Sequence, residues 1–344
     1  IYNSCRNFRC DGKLMSEYKT LKGFDIQVLS SDPSPTAVGQ IWYNTTDKKL
    51  RVVKNVGSWT EGNNANTARQ APGFCGLQTA ALIAGGKVSS ANGEDVSEEY
   101  DGTSWTEGNE LNTERFGPAG AGTQTAGLIA GGYNSAHAPE YKSKESEEYD
   151  GTSYTEGNNL NSRHYDGSGF GTQTAGVVFG GSINENPDET GHTEEYDGTD
   201  YTESGDLNTA RDFQSGMGTQ TAGLCAGGDA SDSAKAETEE YNGTGWTESG
   251  DLNEGRNKCA AAGTQTAAMV AGGDEGGVTA IVEEYNGSTW ATGTSINTAR
   301  RYLPQSGGTT TSSAALAVCG YTTANSSLSE EYSLSGTTQD VTSS

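Results

Sequence analysis

A chain of 344 residues with 46 acidic and 21 basic side chains carries a net charge of −25, which excludes a nucleic-acid backbone as its partner, because phosphate binding needs clustered Lys and Arg. Hydrophobic content of 32% alongside 49 glycines is low for a globular chain and would suit disorder, were the residues not so strictly ordered. No stretch approaches the roughly 18 apolar residues of a membrane span, so no membrane insertion is expected.

Residues 1–38 share no pattern with the remainder of the chain and read as an N-terminal arm or adaptor. The arm ends in an extended linker, Ser30-Ser31-Asp32-Pro33-Ser34-Pro35-Thr36. Cys5 and Cys10 are spaced for a local bridge, whereas Cys75, Cys225, Cys259 and Cys319 read as small core residues. Gly39-Gln40-Ile41-Trp42-Tyr43-Asn44 and Lys49-Leu50-Arg51-Val52 come next, and then Val56-Gly57-Ser58-Trp59-Thr60-Glu61-Gly62.

From there to about residue 335 the chain repeats. The doublets Gly85-Gly86, Gly131-Gly132, Gly180-Gly181, Gly227-Gly228 and Gly272-Gly273 each end a short apolar run, and Cys319-Gly320 is a sixth, altered copy; the period is 45 to 49 residues. Glu-Glu-Tyr comes after each doublet, with tyrosines at 100, 149, 196, 241, 285 and 332. Five residues on stand Trp105, Tyr154, Tyr201, Trp246 and Trp290, but Thr337 in the last unit. In one unit the spacing predicts a first strand from Arg115 to Gly120, a turn at Gly122-Thr123-Gln124-Thr125 and a second strand from Ala126 to Gly132. A third strand ends at Tyr149, and a hairpin at Asp150-Gly151 leads into a fourth through Tyr154. Four short antiparallel strands repeated radially describe a propeller blade.

A glycine doublet closing an apolar strand, then a tyrosine, then a tryptophan resembles the kelch repeat. The resemblance implies an all-β, kelch-type β-propeller over residues 39–344. Matching parts gives six blades: the last unit lacks its tryptophan, and Trp59 supplies it, so an N-terminal strand is expected to close the ring. The alternative counts Gly39 through Trp59 as a seventh unit, with Ile41-Trp42-Tyr43-Asn44 as its second strand. The segment from Ser31 through Trp59 resembles the N-terminal portion of virion proteins of tailed bacteriophages, marine phages among them.

First-to-second and third-to-fourth turns hardly vary, whereas the second-to-third connections run 11, 14, 12, 10, 9 and 9 residues and share almost no sequence. Variation confined to one loop class on a repeated frame suits a binding face. Its candidate residues are Glu94, Asp95, His137, Glu140, Glu185, Asp188, His192, Asp229, Asp232, Asp274 and Glu275. These acids read first as solvating a rim, and they also have the chemistry to coordinate calcium or meet a basic partner; no cofactor is expected. The Glu-Glu doublets and the repeated Arg69, Arg115, Arg211, Arg256 and Arg300 read as structural ion pairs, because six equivalent catalytic centres would be odd.

No Ser-His-Asp spacing, phosphate loop or zinc pattern is present, so no enzyme is expected. The expected function is a structural or adhesion protein on the surface of a phage particle. Its arm would join other virion proteins, and its propeller would meet a host-surface glycan or protein, or a neighbouring subunit. The alternatives are a cellular kelch-type scaffold and a carbohydrate-active propeller enzyme.

Overall fold

The computed structural model describes residues 26–88, 93–137, 139–183, 188–306 and 311–341. Cys5, Cys10 and Glu185 lie outside these, as does the side chain of His137. The described chain is all-β apart from one short 3-10 turn, and it divides into two compact units, Gly57–Ser333 and the flanking segments Ile1–Val56 and Leu334–Ser344. Both divisions fall inside long strands, Lys49–Glu61 and Ser329–Asp340.

The larger unit is a six-bladed β-propeller. Five blades are four-stranded antiparallel sheets with strands in chain order. In the second blade these are Ala119–Thr123, Ala126–Ala130, Ser146–Tyr149 and Tyr154–Glu156. The first strand starts later than expected, because the backbone around Arg115 turns inward before it and Gly117 adopts a left-handed conformation (φ 63°). Inner strands approach backbone to backbone: a Cβ at Gly120 would collide with the Phe74 carbonyl, so only glycine permits this spacing.

The sixth blade takes Leu316–Val318, then residues 329–333, then residues 57–61 of the N-terminal strand, so the ring closes as the Trp59 motif implied. The seven-blade alternative is overturned, since Ile41–Asn44 pairs in parallel with Gln27–Leu29 and antiparallel with residues 49–52. Those strands belong to the smaller unit. There Asp32 accepts hydrogen bonds from Trp42 Nε1 and Asn44 Nδ2, each at 3.0 Å, and pairs with Arg51.

Among the described residues, buried clusters mix adjacent blades, as where Cys75, Leu82 and Leu111 meet Ile129, Tyr149 and Tyr154. The Glu-Glu doublets explain how so polar a chain holds together. The first Glu of each is buried and paired with the arginine of its unit, as in Arg115 Nη2 to Glu147 Oε1 at 2.7 Å and Arg211 Nη2 to Glu239 Oε1 at 2.6 Å; His164 replaces arginine against Glu194. The second Glu accepts the tyrosine hydroxyl of the next blade: Glu99 from Tyr149, Glu148 from Tyr196, Glu195 from Tyr241, Glu240 from Tyr285, Glu284 from Tyr332, and Glu331 from Tyr100. That set passes once round the ring and closes it. The turn glutamines add a second set of clips, Gln124 Nε2 donating to Ala81 O and Tyr100 O of the preceding blade.

One departure lies on the axis. In the sixth unit residues 303–306 are buried and reach the inner strands of other blades, and Ser306 bridges in parallel to Gly216. Ser306 Oγ accepts from Gly120 N (3.0 Å) and Gly169 N (3.3 Å), and Gln305 O from Gly216 N (3.0 Å) and Ser168 Oγ (3.0 Å). The chain therefore plugs its own channel.

Candidate functional site

Two residues after each buried Arg or His, the chain enters the inner strand through a left-handed residue: Ala71, Gly117, Asp166, Phe213, Lys258 and Tyr302, with φ between 49° and 63°. Their backbones form a hydrogen-bonded circle. Gly117 N donates to Ala71 O, Asp166 N to Gly117 O, Phe213 N to Asp166 O and Lys258 N to Phe213 O; Leu303 N donates to Lys258 O and Ala71 N to Tyr302 O, all at 2.8–3.3 Å. This circle is the channel mouth. Five of its six members are not glycine, although glycine adopts that conformation without the steric cost a side chain incurs.

The residue before each ring member bridges to the residue after a glycine doublet: Gln70 to Lys87, Phe116 to Tyr133, Tyr165 to Ser182, Asp212 to Asp229, Asn257 to Asp274 and Arg301 to Tyr321. The variable loops therefore rise from the same face as the mouth, immediately outside it. Around the ring the scaffold repeats while these side chains do not.

Blades two and three contribute aromatic faces. The Phe116 ring lies 4.9 Å from Tyr133 and 5.4 Å from Tyr165, and the exposed Tyr141 stacks on Tyr133 at 5.4 Å and 8°. Blades five and six contribute cations held on aromatic rings. Lys258 Nζ is 4.3 Å from the Phe213 centroid and 5.2 Å from that of Tyr302, and the Arg301 guanidinium lies 5.6 Å from Tyr302 and 5.5 Å from Tyr321.

Blades three and four contribute carboxyls. Asp166 is 1% exposed, and neither carboxyl oxygen has a hydrogen-bond partner of good geometry. Burial pushes its pKa well above the ordinary carboxylate range; the neighbouring Tyr165 hydroxyl offsets part of that, and the charge of Asp212 adds to it. Its carboxyl occupies space left by the missing side chain of Gly117, whose Cβ would collide with Asp166 Oδ1. Asp212 accepts from Ser182 Oγ at 2.8 Å, and burial, reinforced by Asp229 and Glu189, raises it to about 6.

The residues anticipated from the variable loops are spread round this face, and most are engaged with their neighbours. Glu140 pairs with Arg163, Asp188 with Lys142 and Asp274 with Arg301; Asp229 Oδ2 accepts from Asn257 Nδ2 at 2.9 Å. Burial opposes the Asp274 carboxylate, but the Arg301 hydrogen bond and charge outweigh it and hold its pKa below the ordinary value. Glu94 and Asp95 are half-buried beside the first doublet, His192 is half-buried with Nδ1 unpartnered, and Asp232 and Glu275 are exposed. Among the described residues of this set, only Asp229 and Asp274 belong to the inner bridges. Among the described residues no group of three His, Cys, Asp or Glu side chains is placed to hold a metal ion.

The mouth residues carry one sequence signal, a fixed offset of two from the repeated Arg. At that offset chemistry changes from unit to unit, so the positions look like noise beside the repeat. The chain matches no protein-family model and no curated protein.

Proposed function

We propose that this chain is a non-enzymatic binding and display protein of a virion, with a kelch-like propeller whose mouth face engages its target and an N-terminal segment that attaches it to the particle. The observation that carries the binding role is the concentration of unlike side chains at one mouth. The frame is repeated six times almost unchanged, yet Phe116 and Tyr165 stand where other units have Gln70, Asp212 and Asn257, and Asp166, Phe213, Lys258 and Tyr302 differ at the next position. A rigid scaffold presenting a chemically diverse patch is the arrangement recognition requires. Support for the virion setting comes from the lead-in between Ser31 and Trp59, which resembles tailed-phage proteins, and from a charge of −25 that suits an exposed, repelling surface.

Mass spectrometry and surface immunolabelling of purified particles test the setting; absence of the chain from them overturns it. Binding to host-cell surfaces tests the role. A variant with its six second-to-third connections cut to Gly-Ser is expected to lose attachment, and equal binding by both proteins overturns the assignment of this face.

A further inference from the structure

Native proteins satisfy nearly all their buried polar atoms, so those left over are informative where they gather. Five such atoms surround this mouth: both carboxyl oxygens of Asp166, Asp229 Oδ1, Arg301 Nε and Gln305 Oε1. Gln305 comes from the channel plug and lines, with Ala71, Gly117, Gly167 and Leu303, a cavity of about 10 Å³, room for a single water or hydroxyl. The Asp166 carboxyl abuts the same Gly117. Burial favours the neutral acid at Asp166, which then offers one O–H donor, while the amide oxygen of Gln305 offers an acceptor. A hydroxyl group, which both donates and accepts, satisfies the two together.

Charge narrows the class further. Asp212 and Asp229 disfavour an anionic ligand, and Lys258 and Arg301, already seated over Phe213, Tyr302 and Tyr321, disfavour a cation. From Tyr165, next to Asp166 in the chain, aromatic contacts run through Phe116 to Tyr133 and to the exposed Tyr141 stacked on it. A ligand with a flat apolar face and hydroxyl edges fits both halves of the mouth.

We infer that the mouth binds an uncharged sugar residue of a glycan, its apolar face on Tyr141, which Tyr133 backs, and one hydroxyl directed between Asp166 and Gln305. This deepens the binding role proposed above and rests on it.

The test uses the full chain against immobilised neutral polysaccharides (dextran, mannan, galactan) and an acidic one built of uronates, with methyl glycosides as competitors in solution. Binding to at least one neutral polymer is expected, weakened about tenfold by Tyr141→Ala and by Asp166→Ala but not by Thr155→Ala on the outer strand. Unchanged thermal unfolding of Y141A separates lost affinity from lost fold. Binding to the uronate polymer alone, or neutral binding that neither variant changes, overturns the inference. So does cell attachment that depends on the loops but ignores every neutral sugar, and that result leaves the binding role standing. No attachment to cells or glycans removes both.

Discussion

The Trp59 ring packs 5.2 Å from that of Tyr332, and its indole N–H donates to the Thr294 carbonyl at 2.8 Å, so a strand preceding the first repeat completes the blade begun by the last. Other blades form the same link differently: Trp246 and Trp290 donate to the hydroxyls of Thr193 and Thr238, which begin the third strand of the preceding blade. At the closure that position is Val282, which has no hydroxyl, and the indole turns to a backbone carbonyl instead.

Trp59→Ala is therefore expected to cost about 3–5 kcal/mol, as for other buried tryptophans, and to loosen the sixth blade. Denaturant unfolding reads the loss. Size-exclusion chromatography should in addition show concentration-dependent association, because an opened ring exposes strand edges. Trp290→Ala, inside a continuous blade, should lose similar stability without associating; identical behaviour of the two variants would refute closure as the special role of Trp59.

His164 stands where the other units place arginine. Its Nδ1 lies 2.7 Å from Gly180 O and its Nε2 3.2 Å from Glu194 Oε1. Both neighbours are acceptors. Arginine meets the same pair of acceptors in the other units with a fork of several N–H donors, hence His164→Arg should stabilise the propeller by about 0.5–2 kcal/mol. His164→Ala should destabilise it by about 3–5 kcal/mol, since Glu194 stays buried without its partner. Thermal unfolding of the three proteins decides, and an H164R protein less stable than the parent would count against the equivalence.

The blade parts were legible because each is a recurring chemical need. The Glu-Glu doublet recurs because one carboxylate must meet a buried arginine and the next a tyrosine hydroxyl, and the glycine doublet because the next blade's backbone passes too close for a side chain. The mouth was not legible for the converse reason: Asp166, Phe213 and Lys258 share a backbone role filled by a carboxylate, a ring and an ammonium in turn, so no residue type marks it. The channel plug left a trace in spacing alone. From Arg256 to Thr264 is eight positions, whereas from Arg300 to Thr311, the matching residue at the turn, is eleven. Three extra residues carry the sixth unit across the axis.

That crossing gives Ser306 a measurable role. Its hydroxyl oxygen accepts from the amides of Gly120 and Gly169, inner-strand residues of two different blades. Ser306→Ala removes the acceptor and leaves both buried N–H groups unpaired, a loss of about 1–3 kcal/mol. Hydrogen exchange should quicken at those two amides more than elsewhere in their strands. Exchange unchanged at Gly120 and Gly169 would mean that the serine does not hold the blades together.

Asp212 ties stability to pH. An unfolded aspartate titrates near 4, whereas the folded side chain is raised to about 6 by burial and by the nearby Asp229 and Glu189, against the pull of Lys258. A raised carboxyl favours the folded state fully below its unfolded value, and that support is lost as pH climbs through the folded one. Asp212→Asn keeps an oxygen to accept from Ser182 Oγ and removes the titration. The variant should match the parent near pH 4, gain on it progressively to pH 6, and remain more stable by about 3 kcal/mol above that. Denaturant unfolding across this range reads the difference. Two profiles that stay parallel from pH 4 to 7 would show that Asp212 titrates alike in the folded and unfolded chain, and that the carboxyls at the mouth are not electrostatically coupled.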